Sequence, residues 1–239
     1  MPGLFEIHGG GFIMGDLTMM DAFCDAVAAG FPAVVVSVNY RLAPEDPYPA
    51  GVEDCYAALQ WFGEHAAELG VDPSRIAIAG QSAGGGLAAA TALLARDRGG
   101  PELCFQLLDI PELDDRLETP SMRQFVDTPL WNRPNAIRSW SWYLGSDDAP
   151  GSHDVSYYAA PARCEDLTGL PPAFVAVMEF DPLRDEGIVY AMRLLEAGVS
   201  TELHAYPGTF HGSGLVTAAE VSKRHARDAM AALRRALLP

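Results

Sequence analysis

Residues 75–97 read Arg-Ile-Ala-Ile-Ala-Gly-Gln-Ser-Ala-Gly-Gly-Gly-Leu-Ala-Ala-Ala-Thr-Ala-Leu-Leu-Ala-Arg-Asp, a short apolar run, one serine among glycines, and an alanine-rich run. The first run has strand character and the last helical character, so Ser82 sits where a strand must turn sharply into a helix. Such a turn brings the residues two before and two after the serine into near contact, and Gly80 and Gly84 are the neighbours without bulk that it requires. The hydroxyl is lifted clear of both elements, with a helix N-terminus behind it that favours developing negative charge. Gly80-Gln81-Ser82-Ala83-Gly84 therefore reads as a nucleophile elbow with Ser82 as the nucleophile. No Gly-Lys-Ser/Thr follows and no Gly-x-Gly-x-x-Gly is present here, which argues against a phosphate loop.

The rest of the composition narrows the class. The chain has 239 residues, 49% hydrophobic and 20% charged, the balance of one globular domain with a sizeable core, and 1–239 is taken as a single domain. Its formal net charge of −16 repels phosphate backbones and anionic bilayers, so nucleic acid is not an expected partner. Cys24, Cys55, Cys104 and Cys164 are widely separated with no Cys-x-x-Cys pair; neither a zinc site nor a disulfide framework is signalled, and reduced thiols are expected. The N-terminus lacks a basic region followed by an apolar run, and no stretch approaches the ~20 apolar residues of a membrane span. The expectation is a soluble, cytoplasmic protein without a membrane partner.

Working outward from the elbow, apolar runs recur at Leu4 to Ile7, Ala33 to Val38, Ile76 to Ala79, Cys104 to Leu108, Ala173 to Met178 and Glu202 to Tyr206. Helical patterns fall between them: Asp16 is placed to cap a helix through about Ala29, and a second runs from about Val52 to Leu69, with apolar residues at Ala57, Ala58, Trp61 and Phe62. Strands alternating with helices predict an α/β fold with a mostly parallel sheet of about six strands and helices on both faces. Residues 111–160 break the alternation. The segment is too long for a simple crossover and is rich in Pro, Asp, Ser and aromatics (Trp131, Trp140, Trp142, Tyr143, Tyr157, Tyr158). It is expected to be a cap insertion with one or two helices, whose aromatics either line a pocket or fill the core.

A serine hydroxyl is a poor nucleophile near neutral pH and needs a histidine base, itself fixed by a carboxylate. Where such an elbow lies on an α/β sheet, the order along the chain is serine, acid, histidine. Of six histidines, His8 and His65 precede Ser82, His153 lies in the insertion, His204 in a strand and His225 on the C-terminal helix. His211, in the turn-rich stretch Tyr206-Pro207-Gly208-Thr209-Phe210-His211-Gly212 after the last strand, is the expected base. Asp181, just past the strand that ends near Met178, is the expected acid; Asp185 is expected to brace that loop or merely to be solvated, and Glu179 is the weaker rival for the acid position. Acyl transfer also needs amides aimed at an oxyanion. His8-Gly9-Gly10-Gly11 supplies them, Gly10 first with Gly9 and Gly11 close behind, and the amide of Ala83 completes the set.

Taken together, His8-Gly9-Gly10-Gly11-Phe12, Asn39-Tyr40-Arg41-Leu42-Ala43-Pro44-Glu45, Gly80-Gln81-Ser82-Ala83-Gly84-Gly85, Asp181-Pro182-Leu183-Arg184-Asp185-Glu186 and His211-Gly212 resemble, in order and spacing, the hormone-sensitive-lipase-like branch of the α/β hydrolases, also called family IV of bacterial esterases. The resemblance covers nearly the whole chain. It implies an α/β-hydrolase fold, hydrolysis of short-acyl carboxylic esters through an acyl-enzyme, a triad of Ser82, Asp181 and His211, no metal and no organic cofactor. It also implies that Tyr40 to Glu45 holds the loop behind the oxyanion strand. Gln81 stands where the family usually has Asp or Thr, a change expected to alter local hydrogen bonding. Family members ordinarily carry a longer segment before the His-Gly-Gly-Gly, whereas seven residues precede His8. A truncated form, a fragment or a minimal hydrolase is therefore expected, with an apolar edge strand at Ala33 to Val38 through which a homo-oligomer forms. Two rivals share the fold: a non-catalytic small-molecule receptor, like the gibberellin receptors that lack the catalytic histidine, and an inactive truncated hydrolase.

Overall fold

Every second side chain of a strand points to the same face, so a sheet covered on both sides needs apolar residues at odd and even positions alike. The strands satisfy this. The computed structural model describes residues 1–145 and 150–238, so residues 146–149 of the predicted insertion and the last residue of the predicted domain lie outside the described residues. Six strands, β1 (Gly3–Ile7), β2 (Val34–Val38), β3 (Ile76–Gln81), β4 (Phe105–Asp109), β5 (Ala173–Phe180) and β6 (Thr201–Phe210), form one sheet in the order β2-β1-β3-β4-β5-β6. Every neighbouring pair is parallel.

Helices α1 (Asp21–Gly30), α2 (Ala50–Glu64), α3 (Ala83–Arg98), α4 (Pro120–Gln124), α5 (Arg133–Leu144), α6 (Arg184–Glu196) and α7 (Glu220–Leu237) complete the chain. Leu4, Ala77, Ala79, Leu107, Phe174 and Ala176 face one core with Val27 of α1 and Leu233 and Leu237 of α7. Phe5, Ile7, Ile76, Ile78, Leu108 and Val175 face the other, with α2, α3 and α6. Helix α3 is buried all round from Ala83 to Ala95. Its alanines and glycines let it lie close against the sheet, and Gly99 ends it in the left-handed conformation (φ 65°).

Three local expectations are corrected. Asp16 caps a short 3₁₀ turn, Leu17–Met20, by accepting the Thr18 N–H, and α1 starts only at Asp21. Helix α2 ends at Glu64 rather than near Leu69, the chain closing in successive turns from His65 to Gly70. Its buried face is Val52, Cys55, Tyr56, Leu59 and Phe62, whereas Trp61 is exposed; the apolar stripe of an isolated helix is ambiguous until the sheet chooses its side. The stretch from Pro207 to Phe210, expected as loop, continues β6. Its Pro207 is tolerated because β6 is an edge strand and needs partners on one side only.

The register is what assembles the site. Ile7 pairs with Gly80, Gln81 with Asp109, and, beyond a register shift, Phe180 with Phe210. Residues just past these pairs on parallel strands are neighbours at about one strand spacing, ~4.8 Å. His8-Gly9 is thereby set beside Gln81-Ser82, and Asp181 beside His211.

Candidate active site

The elbow is held by close packing. A Cβ at Gly80 would overlap the Gly84 carbonyl, and one at Gly84 would overlap the carbonyls of Ile7 and His8. Ser82 itself has φ 58° and ψ −123°, a backbone state that costs a non-glycine residue of order 1–3 kcal/mol and persists only where the surroundings impose it. Here they do so through the Ser82 N–H on Asp109 O at 2.8 Å and the Ser82 carbonyl accepting Gly86 N–H (3.1 Å) and Glu112 N–H (3.0 Å).

Ser82 Oγ lies 2.9 Å from His211 Nε2, and His211 Nδ1 lies 2.8 Å from Asp181 Oδ2. A carboxylate oxygen only accepts, so Nδ1 carries the proton, Nε2 presents its lone pair, and the serine hydroxyl donates to it. Ser82 and His211 are each 7% exposed and Asp181 is 1% exposed. The second oxygen of Asp181 accepts the Leu183 N–H at 2.9 Å, which fixes the carboxylate plane. The rivals lie elsewhere: Glu179 Oε2 accepts the Gly208 N–H at 2.6 Å, and Asp185 accepts the Ser121 N–H at 2.7 Å while Ser121 Oγ donates to Pro182 O at 2.8 Å, bracing the acid loop as expected.

The glycine loop is oriented by its carbonyls. Tyr40 Oη donates to His8 O at 3.0 Å, His8 Nδ1 to Gly9 O at 2.7 Å, and the Ile13 and Met14 amides to Gly10 O at 3.1 Å each. In a trans peptide the N–H points opposite to the preceding C=O, so the amides of Gly9, Gly10 and Gly11 all turn away from those contacts. A Cβ at Gly9 would stand 3.4 Å from Ser82 Cβ, which places this loop against the nucleophile. Tyr40 stacks on His8 with ring centroids 4.3 Å apart, and Ala43 N–H donates to Phe12 O at 3.0 Å, so residues 40–45 support the loop from behind. Burial, only partly offset by the Gly9 carbonyl, holds His8 below the ordinary histidine range. The amide of Ala83, at the first position of α3, has no helical acceptor.

The aromatics of residues 111–160 divide sharply. Trp131 alone among the six approaches the site, its ring 5.9 Å from that of His211 and its edge against Gly11. Trp140 and Tyr143 are buried against Phe12, Trp142 is exposed, and Tyr157 and Tyr158 bond Asp97 on α3. Helix α5 reaches the glycine loop by a different residue, Ser139, whose hydroxyl donates to Gly11 O at 2.7 Å.

Two features went unnoticed in the sequence. Glu112, fully buried beside Asp181, is pushed well above the usual carboxylate range by burial first and the Asp181 charge second. Asp109, at the end of β4, takes Gln81 Nε2 at 2.9 Å and His225 Nε2 at 2.7 Å. The position of Gln81 hinted at the first of these bonds; nothing along the chain signals a contact between residues 109 and 225. Among the described residues no cluster of three or more His, Cys, Asp or Glu is arranged to hold a metal, and no helix is long and apolar enough to cross a membrane.

The arrangement is suited to deprotonating a hydroxyl at the mouth of a strained turn beside a glycine loop. Comparison with known proteins agrees. The alpha/beta hydrolase fold family matches residues 4–214. Carboxylesterase NlhH of Mycobacterium tuberculosis is 48% identical over 242 residues, covering 99% of this chain and 74% of that protein; Esterase LipI of the same organism is 47% identical over 223 residues, covering 91% and 68%. A solved bacterial heroin esterase superposes with a TM-score of 0.98 at 62% identity, covering 100% of this chain and 75% of its own. These likenesses do not favour a non-catalytic receptor or an inactive hydrolase. With the parallel sheet and the strained serine turn, they show that the chain belongs to the hormone-sensitive-lipase-like branch of the α/β hydrolases and is a serine carboxylesterase.

Proposed function

We propose that Ser82, His211 and Asp181 carry out ester hydrolysis as one unit, with the amides of Gly10, Gly11 and Ala83, and Gly9 beside them, as the oxyanion donors. Ser82 Oγ attacks the ester carbonyl carbon and its proton passes to His211 Nε2, whose imidazolium is stabilised through Nδ1–H by Asp181. The tetrahedral oxyanion is met by the backbone amides, where a single donor contributes roughly 10²–10³ in rate. His211 returns the proton to the departing alcohol. Water, deprotonated by His211, then attacks the acyl carbon and releases the acid and Ser82. Each step uses only this chain's groups, the ester and water. The observation that carries the proposal is the continuous bond path from Ser82 Oγ through His211 to Asp181, at 2.9 and 2.8 Å.

The proposed substrates are short-acyl esters. The family resemblance supports this, as does Trp131 standing across His211 and Gly11, where it limits the length of chain that fits. Each buried methylene adds ~0.8 kcal/mol while there is room for it. A p-nitrophenyl ester series is expected to rise in kcat/KM from acetate to butyrate and fall by decanoate, with Ser82→Ala inactive throughout. A continuous rise to decanoate would overturn the short-acyl reading, and turnover by Ser82→Ala would overturn the mechanism.

Chain 1–239 acts in this proposal as a single domain, with residues 111–160 as a reduced cap that supplies Trp131. Its location in the cytoplasm and its self-association through the β2 edge complete the reading; the first is supported by Cys24, Cys55, Cys104 and Cys164 all being free thiols, as a reducing compartment keeps them, the second by β2 lying at the sheet margin with Val34, Val35 and Val36 only partly buried.

A further inference from the structure

Beneath the nucleophile turn lies a second carboxylate–imidazole pair that the reaction does not consume. Asp109 and His225 are 9% and 8% exposed. Asp109 supports the turn twice, through its backbone carbonyl on the Ser82 N–H (2.8 Å) and through Oδ2 on the Gln81 amide (2.9 Å), while Oδ1 meets His225 Nε2 at 2.7 Å. His225 belongs to α7, which is also tied to the turn after His211 by Ser222 Oγ donating to Ser213 O at 3.0 Å. The pair thus links the strand end under Ser82 to the helix behind His211.

The other groups around His225 are the Tyr206 ring of β6 at 4.9 Å, Asp228 on α7, which accepts the Tyr206 hydroxyl at 2.9 Å, and the Arg224 guanidinium over the Tyr206 ring at 5.3 Å. Burial works against the imidazolium, but the Asp109 charge and hydrogen bond, with Asp228, outweigh it and hold His225 above the ordinary histidine range. Asp109 is correspondingly held low: burial pushes it up, and the His225 charge and bond, with the Gln81 amide, more than offset that. Asp109 is one residue away from His211 along the bond path: its carbonyl accepts the Ser82 N–H at 2.8 Å, and Ser82 Oγ lies 2.9 Å from His211 Nε2. An uncompensated carboxylate at Asp109 would therefore draw a proton onto His211.

We propose that His225 is a positioning residue and counter-charge: as imidazolium it keeps Asp109 ionised and bonded under the Ser82 turn while cancelling the negative charge that His211 would otherwise feel. The inference rests on the roles given above to Ser82 and His211.

Two variants separate this from a packing role. In His225→Gln the side-chain amide can still donate to Asp109, but the carboxylate is uncovered, so the acid limb of kcat/KM, which reports His211, is expected to move up by about 0.5–1 pH unit. Adding Asp109→Asn removes the uncovered charge and should return the limb to its wild-type position. Disturbed packing would compound in the double variant rather than revert. An unmoved limb in His225→Gln, or no reversion in the double variant, overturns the proposal. Should His225→Gln fail to fold, ¹⁵N-imidazole NMR of the unmodified protein decides: His225 is expected to keep both ring protons above the pH at which a free imidazole loses one, and a His225 that loses it in or below the free range overturns the proposal. Failure of wild-type Ser82 to take a fluorophosphonate would instead refute the underlying roles, so the two failures are distinct.

Discussion

Replacing Asp181 by asparagine changes one atom and should nearly abolish turnover, for a reason visible in the bonds around it. Asp181 Oδ1 accepts the Leu183 N–H at 2.9 Å, and Oδ2 accepts from His211 Nδ1 at 2.8 Å. The Leu183 amide can only donate, so the asparagine keeps its oxygen there and turns its NH₂ toward His211. Flipping the amide would leave the Leu183 N–H unpaired in a buried site at ~1–3 kcal/mol. With a donor opposite Nδ1, the imidazole is favoured in the other tautomer, its proton on Nε2, and Ser82 loses its acceptor. The wrong tautomer costs ~10⁴ in kcat in the equivalent serine-protease change, or about 5.5 kcal/mol of transition-state stabilisation. Steady-state hydrolysis of p-nitrophenyl acetate would measure it, with KM expected to change little and near-ultraviolet circular dichroism reporting an intact fold. A kcat within tenfold of wild type for Asp181→Asn, alongside a collapse for Asp185→Asn, would refute the reasoning and move the acid by one helical turn.

Two further outcomes are expected. Glu6, buried in β1 with only the Ser37 hydroxyl on Oε2 at 2.7 Å, is pushed from 4.5 to about 7 by burial, against which that bond works. Between these values the folded state holds a proton that the unfolded state has lost, so stability falls as pH rises from about 4.5 to about 7 and is level above; at about 1.36 kcal/mol per unit the loss is about 3 kcal/mol. Glu6→Gln should therefore gain in Tm over wild type as pH is raised from 5 to 8, and a pH-independent difference would contradict the assignment. For the β2 edge, light scattering after size exclusion should find an associated parent protein and a dissociated Val36→Lys variant; a strictly monomeric parent would rule out association through this strand.

The parts of this molecule that could be read along the chain are those where local sterics leave one solution. Gly80 and Gly84 must lack a Cβ because backbone passes where it would be, and that requirement is visible as a spacing. The place of β2 at the sheet edge followed from the resemblance, and the alternation of strands and helices made the sheet parallel, whereas the full order of the six strands came only with the structure. What stayed hidden depends on register and facing. Asp181 could be preferred over Glu179 by its place past a strand end, yet its meeting with His211 is set by the pairing of Phe180 with Phe210 after a register shift. His225 reads only as a residue on a helix until α7 packs across the sheet and presents it to Asp109. Trp131 could not be told from Trp140 and Trp142 by composition, because which aromatic reaches the site depends on how the segment before α5 returns over Gly11.

Catalysis by this chain turns on Ser82 being the activated hydroxyl. Reaction of the folded protein with a fluorophosphonate, followed by peptide mapping by mass spectrometry, tests it most directly. One adduct is expected, on Ser82 in the peptide containing Gly80-Gln81-Ser82-Ala83-Gly84, with labelling slowed by orders of magnitude in His211→Ala. An adduct on any other residue, or equally fast labelling without His211, would contradict it.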